Sequence, residues 1–210
     1  MAGRAAAEQA PGSRQRLVTA AVTLLARQGY EATTVNGIAV EGSAPMGSFY
    51  FHFPGGKEEI GVAALRQGAQ RFAERLTEVL DRRPSIEEAL AGCADWLADE
   101  LAAAEWTDGC PIAATALESV TRSAALRTAA ADGFGLWLDV IGRRLRAAGL
   151  PEDTATELAT NALALIEGAE LLARAQGSPD PLHRAASALR TLAAAALADG
   201  TDRTSGGTAR

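Results

Sequence analysis

The sequence is poor in the residues from which most metal and catalytic sites are built. It holds two histidines, His52 and His183, far apart in the chain, and two cysteines, Cys93 and Cys110, with no Cys-x-x-Cys spacing. No metal-site pattern results, and neither a metal nor a cofactor is expected. Two cysteines are also too few for a disulfide framework, so each reads as a small apolar residue kept as a thiol. No apolar run reaches the roughly 20 residues needed to cross a bilayer, and the N-terminal residues lack the apolar centre of a signal peptide. The expectation is a cytoplasmic protein with no membrane partner. Lysine occurs once, as Lys57.

What is present is a globular composition. With 210 residues, 48% of them hydrophobic, the chain can bury a sizeable core in one or two domains. Its net charge of −6 argues against nucleic acid until its distribution is considered. Residues 1–57 carry five basic and three acidic groups, a net +2, so the remainder carries −8. A weakly basic head of this kind gives modest non-specific DNA affinity that added salt strongly reduces.

The chain is organised around residues 33–57, where two short helical patterns flank a tight turn of small residues. That arrangement reads as a helix-turn-helix. Thr34 suits the N-cap of a first helix, Val35 to Glu41, with Val35, Ile38 and Ala39 facing inward. Gly42 and Ser43 break it, and Ala44 and Pro45 start a recognition helix running to about Phe51. Phe49, Phe51 and Phe53 are expected to anchor this helix while Tyr50 and His52 point outward towards phosphate oxygens. Lys57 opens a long helix whose N-terminus also suits a phosphate. Each residue taken alone is compatible with an ordinary amphipathic edge; the combination is what favours DNA.

On these residues, Thr-Thr-Val-x-x-Ile-Ala followed by Gly-Ser-Phe-Tyr-x-His-Phe and a lysine, the chain resembles the TetR family of bacterial transcriptional repressors. The runs Phe-Pro-Gly-Gly-Lys-Glu-Glu from Phe53 and Gly-Cys-Pro-Ile-Ala-Ala from Gly109 further resemble a subgroup that responds to flavonoid-like or antibiotic-like aromatic compounds. The resemblance implies DNA contacts at Thr34, Ala44, Pro45, Met46, Ser48, Tyr50, His52 and Lys57. Ser43, Ala44, Pro45 and Met46 depart from the usual turn glycine, branched apolar residue, serine cap and basic residue. Pro45 occurs in the resembled subgroup; Met46 removes a charged contact and so bears on base preference rather than docking.

The rest of the chain is expected to be helical. A flexible arm, residues 1–12, carries Arg4 as a possible backbone contact, and residues 13–56 form the helix-turn-helix domain, whose first helix runs from Ser13 to about Gln28 and stops at Gly29. Residues 57–199 form the ligand-binding and dimerisation domain, and the tail 200–210 is expected to be disordered. Within the body, helices are expected over about 57–82, 86–104 with a Ser85/Glu88 capping box, 111–118, 124–148, 151–174 and 179–198. Gly133 and Gly135 hint at close packing or a kink beside a cavity. The fold class is thus all-α, a three-helix DNA-binding head joined to a larger helical body.

The family resemblance implies a homodimer paired through the last two long helices. Their Ala/Leu positions, Leu158, Ala162, Leu165, Ile166 and Ala169 in one and Leu182, Ala186, Leu189, Ala193 and Ala196 in the other, suit close contact, although packing within one protomer would use the same pattern. A single helix-turn-helix reads few base pairs, so two copies on a palindromic double-stranded operator are expected. An aromatic or largely apolar effector is expected among Phe72, Trp96, Glu100, Trp106, Leu117, Phe134 and Trp137. Two other readings stand beside this one: a regulator without effector, its tryptophans filling the core, and an enzyme. No Ser-His, Cys-His or paired-carboxylate pattern supports catalysis, so no catalytic residue is expected.

Overall fold

The computed structural model describes residues 12–119 and 121–205, with side chains described as far as residue 198. Among these residues there are nine α-helices and no strand. The arm's residues 1–11, with Arg4, and residues 206–210 lie outside the described residues.

The head comprises α1 (Ser13–Ala32), α2 (Val35–Glu41) and α3 (Met46–His52). Its core is Leu17, Ala21 and Leu25 of α1 with Ile38, Ala39, Phe49 and Phe53. The hydroxyl of Thr34 accepts from the Gly37 N–H at 3.0 Å, the side-chain cap that its position implies. The Arg16 side chain donates to the Gly42 carbonyl at 3.2 Å, tying α1 to the turn. In that turn Ser43 takes a positive φ of 46°, a conformation glycine adopts at lower cost. Pro45 sits at the N-cap of α3 rather than inside it.

Gly29, the expected stop of the first helix, leaves the helical conformation with φ 75°, and a further turn beyond this kink runs to Ala32. One expectation about the head is corrected. Phe51 does not anchor the recognition helix; it is 82% exposed, whereas Phe49 and Phe53 are buried. Successive helical residues lie about 100° apart, so three aromatic residues spaced by two cannot share one face.

Helix α4 (Gly56–Asp81) is about 39 Å long and runs from the head into the body. Helices α5 (Ile86–Ala103), α6 (Pro111–Ser119), α7 (Ala124–Ala147), α8 (Glu152–Gln176) and α9 (Asp180–Ser205) complete the body. Ser85 caps α5 by accepting from the Glu88 N–H at 3.3 Å, while the Glu88 carboxylate reaches Arg190 of α9 at 3.0 Å instead of closing the box. Helix α7 runs unbroken through Gly133 and Gly135. Close packing explains Gly133, since a Cβ there would collide with Ile112 of α6 and crowd Ala69 of α4. Helix α9 continues past Gly200 to Ser205, into the stretch expected to begin the tail.

Helix α4 packs along α7, α5 along α9, and α6 bridges α1 and α7. The positions named above for dimer contact are mostly used inside the protomer: Leu158, Ala162, Ile166 and Ala169 of α8 and Leu182, Ala186, Leu189 and Ala193 of α9 are all buried in its core. No helix among the described residues is long and apolar enough to cross a membrane.

Candidate DNA-reading head and ligand cavity

The recognition helix presents an open outer face: a Cβ at Gly47 would meet nothing within 4 Å, and Met46 and Ser48 flank it, each partly exposed. Thr34 and Pro45 are exposed and Ala44 is half-buried at the edge of the turn. Tyr50 is 54% exposed, its ring set edge-on against buried Phe49 at 5.3 Å, which holds the phenol at the surface. His52 is tied to the start of α1, its Nε2 lying 2.8 Å from the Ser13 hydroxyl. Lys57 donates to the Glu31 carbonyl at 3.2 Å and lies 4.3 Å from the Tyr30 ring centroid. The eight sequence-derived residues thus lie on α3, the N-cap of α2, the turn before α3 and the start of α4, with His52 and Lys57 already engaged by neighbours within the chain.

A cavity of about 520 Å³ lies between α4, α5, α7, α8, the segment leading into α6 and, through Val22 and Ala26, α1. Phe72 of α4 stands 4.4 Å from Trp137 and 5.2 Å from Trp96, ring centroid to centroid. Trp137 is buried and its indole N–H donates to the Ala69 carbonyl of α4 at 2.9 Å. Trp96 donates to Glu100 at 3.2 Å. Phe72, Trp96, Glu100 and Trp137 therefore line the cavity as expected.

The other three residues of that expectation do not line it. Phe134 packs edge-on behind Trp137 at 5.5 Å. Trp106, with a φ of 62° in the turn after α5, packs half-buried against the core elsewhere. Leu117 is 84% exposed, because α6 buries the spacing Ile112, Thr115 and Ser119 and leaves Leu117 on its far side.

Sequence reasoning missed the polar end of the cavity. Glu167 and Glu170 of α8 line it beside Cys110. Glu170 is buried and accepts from the Cys110 N–H at 2.6 Å. Burial pushes the Glu167 carboxyl up to about 7, with the Glu170 charge adding to the effect. Burial also raises Glu170, opposed by its bond from Cys110 and by the charge of Arg174. The Cys110 thiol is driven well above its ordinary range, by burial first and then by the two carboxylates. Cys93 is pushed by burial to about 12. Both sulfurs therefore stay protonated and are poor nucleophiles. The available signal for the pair was its i, i+3 spacing in the otherwise apolar and small stretch from Ala162 to Ala173.

Comparison with known proteins gives two family matches. Residues 17–64 match the family described as "Bacterial regulatory proteins, tetR family", and residues 87–188 match "Transcriptional regulator LmrA/YxaF-like, C-terminal domain". The "HTH-type transcriptional regulator LmrA" of Bacillus subtilis (strain 168) is 31% identical over 86% of this chain and 96% of its own length. The chain belongs to the TetR family of transcriptional regulators. A second TetR-type relative, the uncharacterized regulator YxaF of the same organism, is 31% identical over 81% of this chain and 89% of its own.

Solved TetR-family structures share the fold. The regulatory protein TetR from Rhodobacter sphaeroides superposes with a TM-score of 0.76 at 24% identity, covering 86% of this chain and 98% of that one. A TetR regulator from Chloroflexus aurantiacus gives 0.70 at 28% identity, covering 85% and 92%. This TetR-family chain is accordingly a DNA-binding transcriptional regulator and not an enzyme.

Proposed function

We propose that this regulator is a cytoplasmic, dimeric repressor that leaves a palindromic operator when a small, largely apolar or aromatic effector enters the cavity of the body. The observation that carries the reading is the cavity of about 520 Å³ walled by Phe72, Trp96 and Trp137. Its size falls within the roughly 300–1,000 Å³ of small-molecule sites. One wall is α4 itself, gripped through the Trp137 bond to Ala69, and the other end of α4 carries Lys57 in the head. A ligand that shifts α4 changes the separation of two heads on DNA.

Dimerisation is supported by a stripe that the protomer core leaves uncovered. Leu165, Gly168 and Leu172 of α8 and Ala188 and Leu192 of α9 recur at helical spacing, and Leu172, Ala188 and Leu192 are exposed. On the DNA side, Thr34, Tyr50, His52 and Lys57 are assigned to phosphates, and Ala44, Pro45, Met46 and Ser48 to base edges.

The test is a ligand screen by tryptophan fluorescence joined to an operator-release assay. An effector lowers DNA affinity only by its preference for the released state, typically about 1–3 kcal/mol, or roughly 5- to 150-fold. Operator must weaken effector binding by the same factor. Equal effector affinity with and without saturating operator, measured by calorimetry, would sink the coupling. Trp96→Ala is the variant to use for locating the effector, because Trp96 is half-buried. Trp137→Ala would instead empty a buried, hydrogen-bonded site and cost about 3–5 kcal/mol of stability.

A further inference from the structure

We propose that the effector is a planar aromatic cation, a protonated nitrogen heterocycle whose charge is delocalised over its ring system, with its rings against Phe72, Trp96 and Trp137 and a charged N–H group on the carboxylate of Glu167. The inference rests on the cavity being the effector site and adds the charge of the ligand.

The inner end of the cavity is acidic and short of cations. Glu170 is compensated there: the Cys110 N–H donates to it, and the charge of Arg174 acts on it. Glu167 is bonded by the weak thiol donor of Cys110, and the charge that acts on it, that of Glu170, has the same sign. Among the described residues no arginine, lysine or histidine forms an ion pair with Glu167. Removing a carboxylate from water without a partner is costly, and a cation supplied by the ligand repays that cost. The three aromatic rings complete the site, since a delocalised cation is attracted to their faces as well as to the acid.

The arginines of the cavity do not reverse this reading. Arg71 and Arg75 are exposed at its outer end. Arg71 donates to Thr19 at 3.3 Å, and Arg75 pairs with Glu78 at 2.7 Å and lies 3.9 Å from Glu100. Asp108, the remaining acid at the rim, pairs with Arg27 at 2.8 Å. An anionic ligand would therefore meet an already paired Arg75 and only Arg71 as a counter-charge at the mouth, and repulsion from Glu167 and Glu170 within.

The test uses the purified full chain without DNA at pH 8, where the Glu167 carboxyl is ionised. Two probes of one shape are titrated by calorimetry: 9-aminoacridine, protonated at that pH, and acridine, neutral there. The expected result is at least tenfold tighter binding of the cation. Glu167→Gln should remove that preference while leaving acridine affinity within about threefold, and Phe72→Ala should weaken both probes. Equal affinity for the two, or a preference that survives Glu167→Gln, overturns the charge assignment. If acridine binding still depends on Phe72 in that case, the cavity stands as an effector site without it. Failure of both probes to bind, or binding indifferent to Phe72→Ala, overturns the assignment of the cavity and the charge proposal together.

Discussion

The Glu118 carboxylate, near the end of α6, accepts the backbone N–H of Glu31 at 2.8 Å and lies against Gly29, where any side chain would collide with it. Helix α6 is nine residues long, and the Cys110-Pro111 segment at its start lines the cavity. One short helix therefore touches the cavity at one end and the kinked end of α1 at the other. Arg122 reinforces the joint through Glu31 at 2.9 Å. Sequence reasoning pointed to α4 as the link between cavity and head; α6 is a second, shorter one.

Glu118→Ala should release the Glu31 amide without unfolding the head. A hydrogen bond to a charged group contributes about 1.5–3 kcal/mol, less where water competes, so amide exchange at Glu31 should accelerate by roughly tenfold or more. Unchanged protection at Glu31 would mean that the carboxylate does not hold this end of α1.

Tyr50→Phe should weaken binding to all DNA sequences by roughly five- to tenfold per protomer, since it removes a hydroxyl assigned to a phosphate and leaves the packing of the ring on Phe49 intact. Substitutions at Met46 or Ser48 should instead change which bases are preferred. Binding to specific and random duplexes at two salt concentrations separates the two effects. Lys57→Ala is a poorer probe, because Lys57 also bridges α4 to Tyr30 and Glu31 inside the head. A Tyr50→Phe variant with undiminished affinity would remove the phosphate role.

Most of the helices were legible because their limits are written locally. Thr34 and Ser85 are side-chain caps, Pro151 stands just before α8, and Gly177 closes it in a left-handed conformation. The break at Gly29 was legible in the same way, whereas the approach of Glu118 to it, from far away in the chain, was not. The aromatic wall was readable in part: Phe72 and Trp137 follow from apolar periodicity, whereas Leu117 and Trp106 needed the orientation of α6 and of a turn with two successive positive φ values. Glu167 and Glu170 gain their meaning only where α8 meets the Cys110 segment, a contact between residues far apart in the chain. Helices α8 and α9 carry apolar residues on two faces, and sequence alone could not assign Ala162 and Leu189 to the inner one.

That assignment redirects the dimer experiment. Charges at Ala162 or Leu189 would unfold the protomer, since both are fully buried within it. Leu172→Glu together with Leu192→Glu alters the exposed stripe instead. The expected outcome is a folded monomer with native helix content by circular dichroism, half the mass by light scattering, and lost operator binding. A dimer that persists would put the interface on another surface.

Glu167, half-buried where it lines the cavity, makes stability depend on pH in a definite direction. Its carboxyl is raised from an ordinary value near 4.5 to about 7, by burial first and by Glu170 second. Between those two values the folded protein holds a proton that the unfolded chain has released, so stability falls as pH rises through that window and levels off above it. The span corresponds to about 3 kcal/mol as an upper figure for this group. The groups facing it are Glu170 on the same helix and Cys110 ahead of α6, with Arg174 acting on Glu170; Glu170 is shifted in the same direction and adds to the slope. Glu167→Gln removes the ionisable group and keeps its size. Denaturant unfolding should then find the variant more stable than the wild type at pH 8 by up to about 3 kcal/mol, with the difference shrinking towards pH 4.5. Equal stability of the two proteins at pH 8 would mean that water reaches Glu167 freely, which would remove the desolvated carboxylate from the cavity's inner end.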